Sequence, residues 1–488
     1  MTCPKKLYYS LLLVFFSCSG QAQKWVIDSE TGTMVGAARV VPYGLQMNQW
    51  GEIPSEGPFA FQRFRLRDSL RTIHTSRPSW KYQYGASVAL NVGQVPSIRL
   101  SSAYVGVRSS VFGLRLGRWQ EVQGIVDSTF SSGSFIWSGN ALPLPRVEAG
   151  IPNFTPVFGS SLFAVKGFLA HGWFDQGRVV NSYLHQKSAY LRVGKPQWKL
   201  KMYTGFNHQV QWGGRPSEPF VDGGTGELIT QFPSGWRTWV NVATGVSLNR
   251  DGAGLNQPGI PSNEALNRAG NHLGGVDVAL QLDLQKGRLL LYKQSFFEDG
   301  SLFYLTNIED GLYGVSYRTK ESNFLKHLTA EFLYTLSQGG PGGSTNNAPQ
   351  LRGQDNYFNN SLYLDGWTYG GRTIGHPFMM PKAALNPDLT ERYPGGLNIL
   401  SNRVTGINIQ ASYTLNAWHL ASQVYHIRSL GTYNFRYTES SLGIVQTVRK
   451  QIGYRGGSIR FRGALETGNL LRPSVGLEFS YLHPITFY

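Results

Sequence analysis

Two stretches of this sequence set an indole and a guanidinium around a pair of glycines. One is His208-Gln209-Val210-Gln211-Trp212-Gly213-Gly214-Arg215. The other is Trp367-Thr368-Tyr369-Gly370-Gly371-Arg372, running on into Thr373-Ile374-Gly375-His376. A Trp face stacks on the C–H face of a sugar ring while its N–H donates a hydrogen bond. An Arg fork grips a uronate carboxylate through two parallel bonds, and glycines let backbone approach a ligand closely. The competing reading is a Trp at a membrane interface beside a tight turn. A third stretch, residues 127–140, interleaves hydroxyls and amides with Phe130, Phe135 and Trp137. It suits a polysaccharide surface, and a hydrogen-bonded plug loop slightly better. The candidate polysaccharide contacts are Trp137, Asn140, His208, Gln211, Trp212, Arg215, Asp355, Tyr357, Trp367, Tyr369, Arg372 and His376.

Catalytic constellations are scarce. The ten histidines show no His-Glu-x-x-His and no other metal-like spacing. No Gly-x-Ser-x-Gly elbow frames a serine, and no glycine-rich motif ends in Gly-Lys-Ser/Thr. Glu52, Glu56, Glu148 and Glu218 are possible carboxylate partners, but their sequence separation says nothing about geometry. No catalytic residue, metal or cofactor is assigned.

The elements that would position these residues are strands. Tyr82, Tyr84, Ala86, Val88 and Leu90 alternate with Lys81, Gln83, Gly85, Ser87 and Ala89. Residues 198–206, 276–284, 328–336, 407–415 and 475–481 repeat the pattern. A strand of about ten residues with one apolar and one polar face is the transmembrane-barrel unit. Aromatics near strand ends, such as Trp198, Phe206, Phe296, Phe297, Phe479 and Tyr481, suit interfacial girdles. Long Gly- and Pro-rich segments intervene at 127–156, 213–236, 249–275, 339–371 and 375–398. Loops of that length gather on the outer side of such barrels.

The N-terminus sets the compartment. Lys5 and Lys6, the apolar run 11–16 and Gly20-Gln21-Ala22 read as a cleavable secretory signal over residues 1–22. The run is too short to cross a bilayer as a helix. A lipoprotein reading would use Cys18, but Phe15 and Phe16 lie just upstream. Cys3 and Cys18 are the only cysteines, so the mature chain has no thiol and no disulfide. The formal charge of +16, less Lys5 and Lys6, leaves +14. That balance favours acidic partners such as lipopolysaccharide phosphates and uronic-acid sugars. No basic run exceeds two residues, which argues against nucleic acid. With 15% charged residues, 13% aromatics and 58 glycines, and no later apolar helix, the composition leans toward a membrane barrel.

Several segments together resemble the Wzi family of outer-membrane capsule-assembly proteins, in its Bacteroidetes form. They are Gly117-Arg118, Gly124-Ile125-Val126-Asp127-Ser128, Phe135-Ile136-Trp137-Ser138-Gly139-Asn140-Ala141-Leu142-Pro143 and Ile151-Pro152-Asn153-Phe154-Thr155-Pro156. Ala170-His171-Gly172-Trp173-Phe174, Leu184-His185-Gln186-Lys187 and Gly205-Phe206-Asn207-His208-Gln209 follow. Gln211-Trp212-Gly213-Gly214, Tyr357-Phe358-Asn359-Asn360, Gly366-Trp367-Thr368-Tyr369 and Ile374-Gly375-His376-Pro377 complete the set. The resemblance covers most of residues 80–380. It implies a barrel of about eighteen strands and a lectin-like, non-catalytic hold on capsular or exopolysaccharide. Enterobacterial members carry an N-terminal helical bundle. Here only residues 61–75 are left for a short helix.

The sequence therefore predicts an all-β, transmembrane antiparallel barrel of about 18 strands with long extracellular loops and little N-terminal helix. Residues 23–80 would form a short periplasmic part and first strand, and 81–488 the barrel. The chain would be a monomer in the outer membrane, assembled by the barrel-assembly machinery. Its partners would be acidic surface polysaccharide, membrane lipid and lipopolysaccharide. A porin is the alternative reading. An outer-membrane hydrolase is a third, and it requires a serine, a histidine and a carboxylate to converge.

Overall fold

A computed structural model describes residues 25–66, 71–72, 80–248, 259–298, 302, 305–320, 324–342, 353–393, 395–453 and 456–487. Residues 1–22, read above as a secretory signal, lie outside them. Eighteen antiparallel strands close into a barrel. The first six are β1 (Trp25–Gly36), β2 (Phe59–Leu66), β3 (Lys81–Gly93), β4 (Ser97–Arg108), β5 (Gly113–Arg118) and β6 (Arg146–Val157). Then come β7 (Ser160–Phe174), β8 (Ser182–Val193), β9 (Leu200–Trp212), β10 (Asn271–Asp283), β11 (Gly287–Phe297) and β12 (Gly311–Thr319). The last six are β13 (Leu325–Tyr334), β14 (Val404–Leu415), β15 (Trp418–Gly431), β16 (Arg436–Ile452), β17 (Gly457–Gly468) and β18 (Ser474–Phe487). Each pairs with its sequence neighbour. β1 closes the ring on β18, from Trp25↔Phe487 to Gly36↔Gly476. Closure pairs every backbone edge that lipid would otherwise leave unsatisfied.

Alternation assigns the faces. On β9 Leu200, Met202 and Phe206 are exposed, whereas Lys201 is buried against Asp283 of β10. Val278 and Leu280 likewise face out, while Asp277 and Gln281 face in. The apolar rows are the lipid belt and the polar rows line the lumen. Phe296 and Phe297 cannot both belong to a girdle, because consecutive residues point to opposite faces. Phe296 is buried in the lumen, and Phe297 stacks outside on Phe206 at 6.0 Å.

Three boundaries differ from expectation. Residues 23–80, expected to hold a short periplasmic part and the first strand, carry two barrel strands, β1 from Trp25 and β2 from Phe59. Residues 61–66 of the segment read as a possible helix belong to β2 instead. Phe59, Phe61 and Arg63 alternate inward along it, and Arg63 lies within 3.6 Å of Glu30 and 3.5 Å of Glu52. A period of two, with arginines on the wet face, is a strand signal that basic residues disguise. The last part of 127–156, from Arg146 on, is strand β6 rather than loop. Its prolines at 152 and 156 fall where the register with β7 shifts, a place that tolerates a missing N–H.

Strand direction puts four long connections at the same end, residues 37–58, 119–145, 213–270 and 335–403, while both chain termini lie at the other. These are the extracellular loops. Three of them turn back into the barrel as a plug. Tyr43 and Gly44 donate backbone N–H groups to Glu466 of β17, both at 2.8 Å. Phe135 stacks on Phe296 at 4.8 Å, and Phe378 meets Tyr425 at 5.8 Å. Residues 127–140 were expected at the extracellular end. They are rooted there but descend the lumen, so that Thr129 meets Arg318 near the opposite end of β12 at 3.1 Å. The fourth loop, 213–270, packs against the outer wall instead.

Candidate functional site

The expected contact residues divide among the plug, the wall and the surface. Trp367 is fully buried, its indole N–H donating to the Ile136 carbonyl at 2.8 Å, and it meets Trp137 edge-on at 6.2 Å. Asn140 donates to the Thr373 carbonyl at 3.1 Å. The Tyr357 hydroxyl donates to Asp310 at 2.7 Å, and that of Tyr369 to Asp175 at 2.9 Å. His376 lies 3.0 Å from the Ser132 hydroxyl with no solvent exposure. Gln211 donates to Ser182 at 2.9 Å on the lumen side. Trp212 and His208 face outward beneath the 213–270 loop, with His208 Nε2 3.0 Å from His272 Nδ1. Trp212 and Trp367 thus lie on opposite sides of the barrel wall and do not form one site. The buried indoles hold the plug together, and neither offers a face to a sugar. Arg215 is exposed beside Val180, away from Arg372.

Asp355 is the one candidate that lines the larger extracellular cleft, which has a volume of about 410 Å³. The cleft lies between the loop helix Ser262–Leu266, the top of β10 and the segment 353–362, with Asn434 from the β15–β16 turn at its rim. Its lining is dominated by amides, including Asn263, Asn267, Asn271, Gln354, Asn356 and Asn360. Each amide offers two N–H donors and a two-lone-pair acceptor, matching the mixed donor and acceptor character of sugar hydroxyls.

The local backbone explains why this wall holds its shape. Gln354 and Phe358 adopt left-handed φ angles of +59° and +68°, a cost of roughly 1–2 kcal/mol each. Hydrogen bonds fix them there. Phe358 N–H donates to Glu298 at 2.6 Å, and Asn359 clasps Ile399 through both its N–H and its carbonyl, at 2.8 and 3.1 Å. Asn360 accepts from Leu362 and Tyr363 and donates to Asn271 Oδ1 at 3.3 Å. The Asn271 Nδ2 is left buried without a partner, and a buried donor in that state is costly. Glu264 stands in the same wall, accepting from Gly270 at 2.9 Å, and burial pushes its carboxyl up to about 7. The asparagine run 356–360 was visible in the sequence. Its partners at 263–271 and 434 were not, because only tertiary folding brings them together.

A second, smaller hollow of about 210 Å³ is lined by Arg99, Arg372, Tyr43, Gln46, Asn140 and Ser55 among others, and by no carboxylate. Arg372 donates to the Gln46 carbonyl, the Gln46 side chain and the Ile53 carbonyl at 3.3, 2.9 and 2.6 Å. Three of its five N–H groups thus tie one plug segment to another.

Serine, histidine and carboxylate do converge twice, but not as relays. His327 Nε2 contacts both Ser316 Oγ and Asp127 Oδ2, at 3.0 and 2.7 Å, and Ser316 itself donates to Asp127 at 2.5 Å. In the second cluster His376 Nδ1 accepts from Phe378 N–H, leaving Nε2 as the donor toward Ser132. A general base must accept the serine proton on one ring nitrogen while the other is held by the acid. Neither cluster does so, and both are buried.

No known protein family and no curated protein matches the chain by sequence. Among solved structures, the chain is similar to Wzi of Escherichia coli, described as an outer-membrane protein involved in group 1 capsule assembly and a carbohydrate-binding β-barrel. That likeness has 12% identity and a TM-score of 0.55, over 95% of this chain and 85% of that one. Pseudomonas aeruginosa OccK5 (OpdH) has 10% identity and a TM-score of 0.46, over 95% of this chain and 98% of that one. Acinetobacter baumannii OccAB4 has 8% identity and a TM-score of 0.44, over 96% of this chain and 99% of that one. The Wzi likeness shows the outer-membrane barrel fold.

Proposed function

We propose that this barrel binds surface polysaccharide, capsular or exopolysaccharide, without catalysis and assists capsule assembly. The amide-lined extracellular cleft carries the reading. It is open, polar and held in a strained conformation by loops that a passive wall would not need. The structural likeness to a carbohydrate-binding barrel supports it. Acidic polymer is the expected ligand class. Its hydroxyls would engage the cleft, and its carboxylates the Arg99 and Arg372 hollow, where no fixed acid competes. The porin reading is disfavoured by the plug, whose aromatic core occupies the lumen.

The direct test is binding of purified protein to a glycan array, followed by titration of the best polymer. Asn434 is exposed and its side chain makes no hydrogen bond among the described residues. Asn434→Ala should weaken binding by roughly two- to tenfold, the worth of one hydrogen bond, with thermal unfolding unchanged. Absence of glycan binding, together with steady conductance across a planar bilayer, would favour the porin instead.

A further inference from the structure

The loop between β9 and β10 covers a part of the outer wall that lipid would not tolerate bare. Positions 183, 185 and 187 of β8, 208, 210 and 212 of β9, and 272 of β10 belong to outward rows. The alternate residues Gln186 and Gln209 hydrogen-bond to one another inside the lumen at 2.6 Å. Lower on β9 the same outward row is apolar and exposed, at Met202 and Phe206. Near the extracellular rim it becomes polar, with His185, Lys187, His208 and His272. Polar groups facing hydrocarbon without partners are costly.

The helix Trp236–Thr244 lies over this patch. Val242 and Trp239 pack with Val210 and Trp212, and Trp239 meets His185 edge-on at 6.0 Å. Lys187 Nζ donates to the Ala243 carbonyl at 2.5 Å, which holds the C-terminal end of the helix to the wall. The opposite face of the helix is unusual for one in water. Trp236 is 72% exposed, stacked on Trp239 at 4.7 Å, and Val240 lies one turn on at 37% exposure. Arg237 is exposed beside them, and the helix contains no acidic residue.

We infer that this helix is an interfacial anchor, with Trp236 and Val240 entering the outer-leaflet lipid and Arg237 meeting a headgroup phosphate there. Continuity with the lipid belt carries the assignment. The helix is seated on outward rows whose lower positions are already the membrane-facing surface, so its own outer face looks onto the same lipid. Indole and arginine together on an amphipathic helix are suited to the headgroup level. The loop therefore serves the membrane rather than the glycan, independently of the function proposed above.

Site-directed spin labelling tests this in full-length protein. Cys3 and Cys18 are the only native cysteines. With both changed to Ser, Val240→Cys and, as a solvent reference, Glu227→Cys each carry a nitroxide. The protein is reconstituted into phosphatidylcholine vesicles with and without lipid A. The label at 240 is expected to collide with oxygen in preference to a water-soluble nickel chelate, and the label at 227 to show the reverse. Lipid A should slow the label at 240, and Arg237→Gln should abolish that response while leaving the oxygen-to-nickel preference intact. Nickel access at 240 equal to that at 227 overturns the anchor. A lipid A response that is absent, or that survives Arg237→Gln, overturns the phosphate contact. If Val240→Cys fails to fold by heat-modifiable gel mobility, Trp236→Cys reads the same face.

Discussion

Burial decides which polar side chains near the outer rim are free to meet a ligand. Arg99 and Arg372 line one hollow, yet they do different work there. Arg372 ties two plug segments through three hydrogen bonds to neutral acceptors. Arg99 has no acidic partner among the described residues. Arg99→Gln should therefore lower affinity for an acidic polymer and flatten its salt dependence, since screening acts on the charge term, while a neutral glycan binds as before. Equal losses for both polymers in titration calorimetry would remove the charge role. Glu264 gives a pH signature in the larger cleft. Its folded pKa of about 7 lies above the ordinary 4.5 because burial disfavours the charged form. Below about pH 4.5 both folded and unfolded states hold the proton, and the wall has its full stability. As pH rises toward 7 the unfolded segment releases a proton that the folded one keeps. The wall then loses up to ~3 kcal/mol. Hydrogen exchange of amides 262–270, corrected for intrinsic rates, should quicken through that window in the parent and stay level in Glu264→Gln. Level exchange in the parent would refute the assignment.

At the scale of elements, what sequence could show was decided by how local the signal is. β3, β9, β10, β14 and β18 announce themselves by alternation, since period two is written in adjacent residues. β2 does not, because its inward positions carry Phe59, Phe61 and Arg63, a mixture that imitates an amphipathic helix until Glu30 and Glu52 supply partners for the arginine. The two stretches that set a Trp and an Arg around a glycine pair were legible as motifs, but their destinations were not. One faces the outer wall and the other the lumen, and only strand register and loop path decide between them. The same holds for Asp127, whose partners Ser316 and His327 are nearly two hundred residues away in sequence. The plug segment 119–145 is itself held by an aromatic contact that can be tested. Phe135 stacks on Phe296 and meets Tyr357 and Phe358 edge-on, at 6.5 and 6.1 Å. Phe135→Ala should cost ~3–5 kcal/mol locally. The change should appear as faster hydrogen exchange across residues 131–141, with the strand amides of β16 and β17 unchanged.

For the whole molecule, the decisive relation is between an eighteen-strand wall and what fills it. A barrel of that size would enclose an aqueous channel if its loops stayed outside. Here residues 37–58, 119–145 and 353–403 enter it, and they are bonded to several sides of the wall at once. Glu331 of β13 accepts from Ser131 and Ser132 of the plug and from Tyr292 of β11, at 2.6, 2.5 and 2.5 Å. Asp277 of β10 accepts from the Ile125 N–H at 2.8 Å, and Glu466 of β17 from Tyr43 and Gly44. Each of these carboxylates is buried against the plug, so withdrawing it would exchange charge-assisted hydrogen bonds for bonds to water, at roughly 1.5–3 kcal/mol each. The plug is also continuous with the strands at both ends and cannot leave as a body. The parent protein in a planar bilayer should accordingly show no unitary conductance steps at moderate voltage. Replacing residues 121–144 with a short Gly-Ser connection should open an ohmic pore, because the segment that descends as far as Arg318 is then gone while the strand register remains. A parent that conducts as well as the deletion would mean that the plug does not seal the lumen, and the anchoring role would give way to transport.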